Sequence, residues 1–143
     1  MDQQSIFIPF FGLMALTILV WMYMYYQRLG YVKRQNIDPQ SLATSEDMVG
    51  LIPARINTPS ENLINLFELP VLFYATCIYL YVTQRVDMTN LILAYGFLVL
   101  RIGHSVIHCT YNRVMHRFYI YILSTLVLWT FIILAFIGAL NNQ

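Results

Sequence analysis

Four runs of apolar residues, each long enough to cross a bilayer as a helix, constrain this chain more than any other feature. A hydrocarbon core of about 30 Å takes roughly 20 helical residues. The segments at about 6–26, 61–84, 88–109 and 117–140 meet that length. They are too long for barrel strands, and in lipid each must satisfy its own backbone hydrogen bonds. The expected fold is therefore all-α, an integral membrane four-helix bundle formed as a single domain over 1–143. Composition agrees, with 59% hydrophobic and only 10% charged residues, against about a quarter charged in soluble domains. A net charge of +1 offers no polybasic surface, so nucleic acid is not an expected partner and membrane lipids are.

The first run, residues 3–27, carries no charge, has no basic flank and exceeds the apolar length of a signal peptide, so it reads as a retained span. Short links make the last three spans antiparallel neighbours. The segment 28–58 is different, since it holds Gly30, Pro39, Gly50 and Pro53 among many polar residues, and loops this long are usually functional or disordered. Arg28, Lys33, Arg34, Arg55, Arg113 and Arg117 fall on one side of the spans and Arg85 alone on the other. Positive loops stay in the cytoplasm, so the loop 28–58 is expected there and both termini on the non-cytoplasmic side. Cys77 and Cys109 then lie near opposite faces, roughly 20 Å apart along the helices, too far for a disulfide.

Polar residues inside the spans carry the chemistry. Thr58, Pro59, Ser60 and Glu61 have the pattern of a capping box with proline at the first helical position, which predicts that the second span starts there and that Glu61 reaches back to the cap. Glu61, Asn65 and Glu68 follow i, i+4, i+7 spacing and share a face, and Pro70 predicts a kink. Arg101, His104 and His108 form a polar stripe on the third span that must face protein or water. Glu68 and Arg101 lie about 10 to 13 Å from the cytoplasmic ends of their helices, in one layer, so an ion pair between them is the least costly arrangement. The i, i+4 histidines resemble half a zinc site, but no third ligand cluster accompanies them, so no metal is expected and they read as hydrogen-bonding walls of a cavity. Arg117 and Tyr121 sit at i, i+4 at the start of the last span, beside Arg113. They can be interfacial anchors, yet every polar group of the last three spans gathers at the cytoplasmic half. That convergence points to a polar pocket open to that side.

These residues resemble the superfamily of membrane-associated proteins in eicosanoid and glutathione metabolism, over about residues 58–140. Asn65 and Glu68 in NLFELP match the Asn and Glu of the family's second helix, and Arg101, His104 and Arg117 match the pattern of its prostaglandin E synthases. The resemblance implies a homotrimer with glutathione bound between subunits as co-substrate, with Asn65, Glu68, Arg101, His104, His108, Arg113 and Tyr121 orienting it and Arg117 as the catalytic cation. The NLFELPVLFY stretch looks like bacterial members, which implies a bacterial inner membrane. Two departures stand out. The family's second-helix arginine falls on Glu61, for which Arg55 is a candidate replacement, and His108 stands where several members have tyrosine.

Two functions follow. One is a glutathione-dependent transferase or peroxidase acting on lipophilic electrophiles, with the thiolate stabilised by Arg117. The other is a non-catalytic lipid-binding or scaffold protein of the same fold. An ion pathway fits less well, because the polar stripe does not continue through the first and last spans. The hydrophobic small molecule itself is not encoded in interchangeable Leu, Ile, Phe and Tyr side chains.

Overall fold

The structure, a computed structural model, describes residues 2–140. Among them every regular element is helical: α1 (Phe7–Arg34), the short α2 (Ser45–Leu51), α3 (Ala54–Phe67), α4 (Leu69–Val82), α5 (Met88–Cys109) and α6 (Val114–Leu140). Four helical stretches are long and apolar enough to cross a membrane, namely Gln3–Arg34, Ala54–Val82, Met88–Cys109 and Val114–Leu140. The chain is thus an all-helical bundle of four long apolar rods, the second of them broken into α3 and α4.

The ends of the rods follow local chemistry. α1 runs past Arg28 and Gly30 to Arg34, beyond the point where the loop was expected to begin, because no proline interrupts those residues. It stops where Asn36 takes a left-handed φ of 48°, a conformation asparagine tolerates well. Asn112 does the same after α5, with φ 45° and its N–H bonded to the Ile107 carbonyl at 2.9 Å.

The expected capping box does not form. α3 begins at Ala54 behind Pro53, and Pro59 lies inside it. Proline removes one ladder donor, leaving the carbonyl four residues back without its partner. The Thr58 hydroxyl donates to that carbonyl, Arg55 O, at 3.1 Å, and so makes the interior proline tolerable. Glu61 is therefore a mid-helix residue whose side chain is free to face the bundle.

The second rod breaks at Glu68, whose φ and ψ of −89° and −92° leave the helical region, and α4 restarts with Pro70 in its first turn. The Arg101 guanidinium inserts at the break and donates through Nη2 to the Asn65 carbonyl. A side chain entering the ladder and a proline next to it are both sufficient causes of a kink, and here they coincide.

The core is aromatic. Phe73 of α4 packs against Phe97 of α5 and Phe131 of α6, with centroids 5.0 and 5.8 Å away, and all three rings are fully buried. Phe10 of α1 meets Tyr74 edge to face at 4.9 Å. At the end away from the arginine-rich loops, the Gln3 side chain both accepts from Val86 N at 2.8 Å and donates to Val86 O at 3.2 Å, fastening the N-terminus to the α4–α5 link.

Candidate functional site

The polar residues of α3, α5 and α6 converge at the end of the bundle that carries Arg55, Arg113 and Arg117. There they line a cavity of about 230 Å³ built from Glu61, Asn65, His104, His108, Val114, Arg117, Phe118 and Tyr121. Spacing explains the set. Glu61 and Asn65 are one turn apart on α3, His104 and His108 on α5, and Arg117 and Tyr121 on α6, so each helix presents two successive turns of one face.

Arg117 is held at two points. Its Nη1 lies 2.6 Å from His108 Nε2 and donates to Asn112 Oδ1 at 3.0 Å. A guanidinium only donates, so Nε2 of His108 is the acceptor and the imidazole proton sits on Nδ1. The Glu61 carboxylate approaches the same Nε2, at 3.5 Å. One imidazole nitrogen thus stands between a cation and an anion, and the cavity wall carries both signs of charge. His108 and His104 are both buried, and their rings meet at 5.6 Å; the Tyr121 ring lies 5.6 Å from His104 on its other side. Nδ1 of each histidine is buried without a hydrogen-bond partner among the described residues.

Arg101 stands behind this wall. It is the largest fully buried side chain, 0% exposed, with its guanidinium carbon 5.6 Å from the Tyr121 ring and 6.0 Å from that of Phe97. Its Nη2 bonds the Asn65 carbonyl, and its Nε and Nη1 have no hydrogen-bond partner among the described residues. The expected ion pair with Glu68 does not form within one chain. Glu68, at the break, is exposed, whereas Arg101 is buried and bonds the Asn65 carbonyl.

Of the residues singled out in the sequence, Asn65, His104, His108, Arg117 and Tyr121 share the cavity, and Arg101 backs it. Glu68, Arg55 and Arg113 do not line it. Arg113 is exposed in the α5–α6 link, and Arg55 lines a separate cavity with α1. Two members were missed. Glu61 lines the cavity where a cap was expected, and Asn112 orients Arg117; its only signal was an asparagine in a tight link. Behind them Asn62, fully buried, donates to Cys109 Sγ at 3.6 Å and accepts from Ser105 Oγ at 3.5 Å. Cys109 and Cys77 are both free thiols.

A family model described as the MAPEG family matches residues 6–137. No curated protein and no solved structure gives a significant match.

Proposed function

Because the chain belongs to the MAPEG family, whose activities are glutathione- and eicosanoid-related transfer and peroxidase reactions carried out in membranes, we propose that it is a glutathione-dependent transferase or peroxidase acting on lipophilic electrophiles. The observation that carries this reading is the fixed Arg117 guanidinium on the cavity wall, pinned by His108 and Asn112. A cation beside a thiol favours the thiolate, which is the nucleophile. In a transfer, the thiolate forms a bond to the electrophilic carbon and the leaving group departs with its electron pair. Arg117 stabilises the thiolate before attack; Asn65 and Tyr121 supply neutral hydrogen-bonding groups along the same wall.

Glutathione fits this donor set in part. It carries one ammonium, two carboxylates and a thiol. Glu61 answers the ammonium, and Asn65 and Tyr121 line the same cavity as neutral hydrogen-bonding groups. A thiolate and two carboxylates call for more cations than Arg117 alone. A homotrimer, in which a second copy adds groups to the cavity, answers that need, and the exposed Glu68 midway along the 29-residue stretch Ala54–Val82 supports it. A bare carboxylate in lipid is costly, and a neighbouring subunit would cover it. The count of basic residues supports an orientation with both termini outside the cytoplasm, and the likeness of NLFELPVLFY to bacterial members supports a bacterial inner membrane.

A second reading, a non-catalytic lipid-binding or scaffold protein, is favoured by Glu61, since a carboxylate in the cavity repels the anionic groups of glutathione. Thermal unfolding of the purified protein with millimolar glutathione separates the two. A ligand that binds only the folded state raises apparent stability by mass action. The transferase reading expects a rise that grows with concentration; an unchanged transition in well-folded protein leaves the scaffold reading.

A further inference from the structure

A second and larger cavity lies on another side of the bundle, among α1, the start of α3 and the end of α5. It encloses about 780 Å³, and its polar wall includes Arg34 and Arg55 together with Tyr31 and Gln35. No carboxylate lines it. Arg34 donates Nε to the Gly30 carbonyl at 3.0 Å, and neither arginine has an acidic partner within ion-pair distance among the described residues. The cavity is therefore a concentration of positive charge with no carboxylate among the described residues paired to it.

This cavity continues into a groove. Tyr23, Cys109 and Thr110 line both the polar chamber and an apolar cleft of about 310 Å³ that runs between α1 and α5. The cleft is walled by Leu16, Leu19 and Val106, of which Leu19 and Val106 are 63% and 55% exposed. Along α1 the step from Tyr23 to Leu16 spans about 10 Å, and it lies inside the membrane-crossing stretch Gln3–Arg34. A soluble anion would satisfy the arginines and leave the cleft empty. A hydrocarbon chain would fill the cleft and leave the arginines without an anion. Only an amphiphile with an anionic head satisfies both.

We propose that this composite pocket holds one anionic phospholipid, its phosphodiester between Arg34 and Arg55 and an acyl chain in the cleft between α1 and α5. Guanidinium groups bind phosphate through paired N–H donors, and their position at the rim of the apolar region matches the depth of a lipid head. The site shares no lining residue with the cavity of Arg117, so it stands independently of the glutathione reading.

The test is native mass spectrometry of the full chain in detergent, with phosphatidylglycerol and phosphatidylcholine of equal acyl length supplied together. Phosphatidylcholine offers the same phosphodiester but adds a quaternary ammonium that the two arginines repel, so the expected result is retained phosphatidylglycerol at a preference of roughly tenfold. Arg34→Ala combined with Arg55→Ala should abolish the preference, Arg34→Lys with Arg55→Lys should keep part of it, and Val106→Trp should reduce retention of the lipid. Arg34→Ala alone should already weaken the preference, whereas Lys33→Ala, which removes one charge as Arg34→Ala does but from an exposed residue outside the pocket, should change nothing. Equal retention of the two lipids overturns the proposal. So does an equal loss in the Lys33 variant, which reduces the effect to general surface charge. Binding of glycerol phosphate as tight as that of the lipid also overturns it, because the cleft would then contribute nothing.

Discussion

Arg117 and His108 are joined by a short contact, Nη1 to Nε2 at 2.6 Å, and Arg117 alone can be the donor in it. His108 is thereby fixed as the tautomer protonated at Nδ1, and Arg117 is fixed in direction by a buried ring and by Asn112 Oδ1 at 3.0 Å. A guanidinium so constrained loses little freedom when a thiolate arrives, which is the property a preorganised electrostatic site requires.

Arg117→Ala should lower conjugation of glutathione with an activated aryl halide by about 100-fold or more, the effect of removing one preorganised donor from a developing or nucleophilic anion. Arg117→Lys keeps the charge and loses the two-point anchoring, so its activity should fall between the two. Steady-state kinetics on protein whose elution volume matches the wild type checks both, and turnover undiminished in Arg117→Ala would sink the catalytic assignment.

Glu61 is the only carboxylate among the described residues that line the cavity, and in the transferase reading it receives the ammonium of glutathione. Glu61→Gln should then raise KM for glutathione roughly tenfold, as expected for loss of a charge-assisted hydrogen bond, with kcat changed by much less. A fall in KM would mean that the carboxylate opposes glutathione, and would remove its assignment to the ammonium.

Arg101 tests the helix break. Its removal leaves the Asn65 carbonyl without a partner, at about 1 to 3 kcal/mol, but also removes a buried cation with two nitrogens unpaired, which works in the opposite direction. Arg101→Met preserves most of the volume, so Arg101→Ala should be the less stable of the two by about 2 to 5 kcal/mol, the usual cost of an emptied large buried position. Denaturant unfolding in micelles measures the difference. Equal stability of the two variants would show that the guanidinium contributes through charge and hydrogen bonding and not through packing.

Close approach of α5 and α6 rests on Gly103, where an added Cβ would lie 2.7 Å from Ile120 Cδ1. That atom is the tip of a flexible side chain. Gly103→Ala gains up to about 1 kcal/mol of helix propensity, which should offset the displacement of Ile120 and leave stability nearly unchanged. Gly103→Leu drives several atoms into the same gap and should cost about 1 to 3 kcal/mol. Unfolding curves in the same micelles distinguish the two variants.

The apolar runs and the stripe of Arg101, His104 and His108 were legible in the sequence because span length and helical period are properties of the chain alone. What was not legible depended on exchangeable partners. Thr58 to Glu61 has the pattern of a cap, but the same Thr58 hydroxyl can serve an interior proline by donating to Arg55 O, and only the position of Pro53 behind Ala54 decides between the two. Once α3 starts at Ala54, the six residues from Arg55 to Glu61 turn about 600°, leaving them some 120° apart at about 100° per residue. Arg55 therefore faces α1 and not Arg117. Depth puts Glu68 and Arg101 in one layer but says nothing about which partner each side chain takes: Arg101 bonds the Asn65 carbonyl and Glu68 stays exposed.

That exposed Glu68 yields the prediction on assembly. It sits midway along the stretch Ala54–Val82, beside Phe67 and Ile64, which are 64% and 60% exposed. A helix face that mixes a carboxylate with large apolar side chains suits neither lipid nor water, and it suits a second copy of the chain that brings a donor to the carboxylate. Detergent-corrected light scattering should therefore give the mass of a trimer for the wild type and a shift toward monomer for Glu68→Ala. Ile78→Ala, a truncation of another exposed residue on α4 with no charge involved, should leave the mass unchanged. A monomeric wild type would remove the subunit that the glutathione reading relies on for its missing cations, while an unshifted Glu68→Ala trimer would move the contact to another face of the bundle.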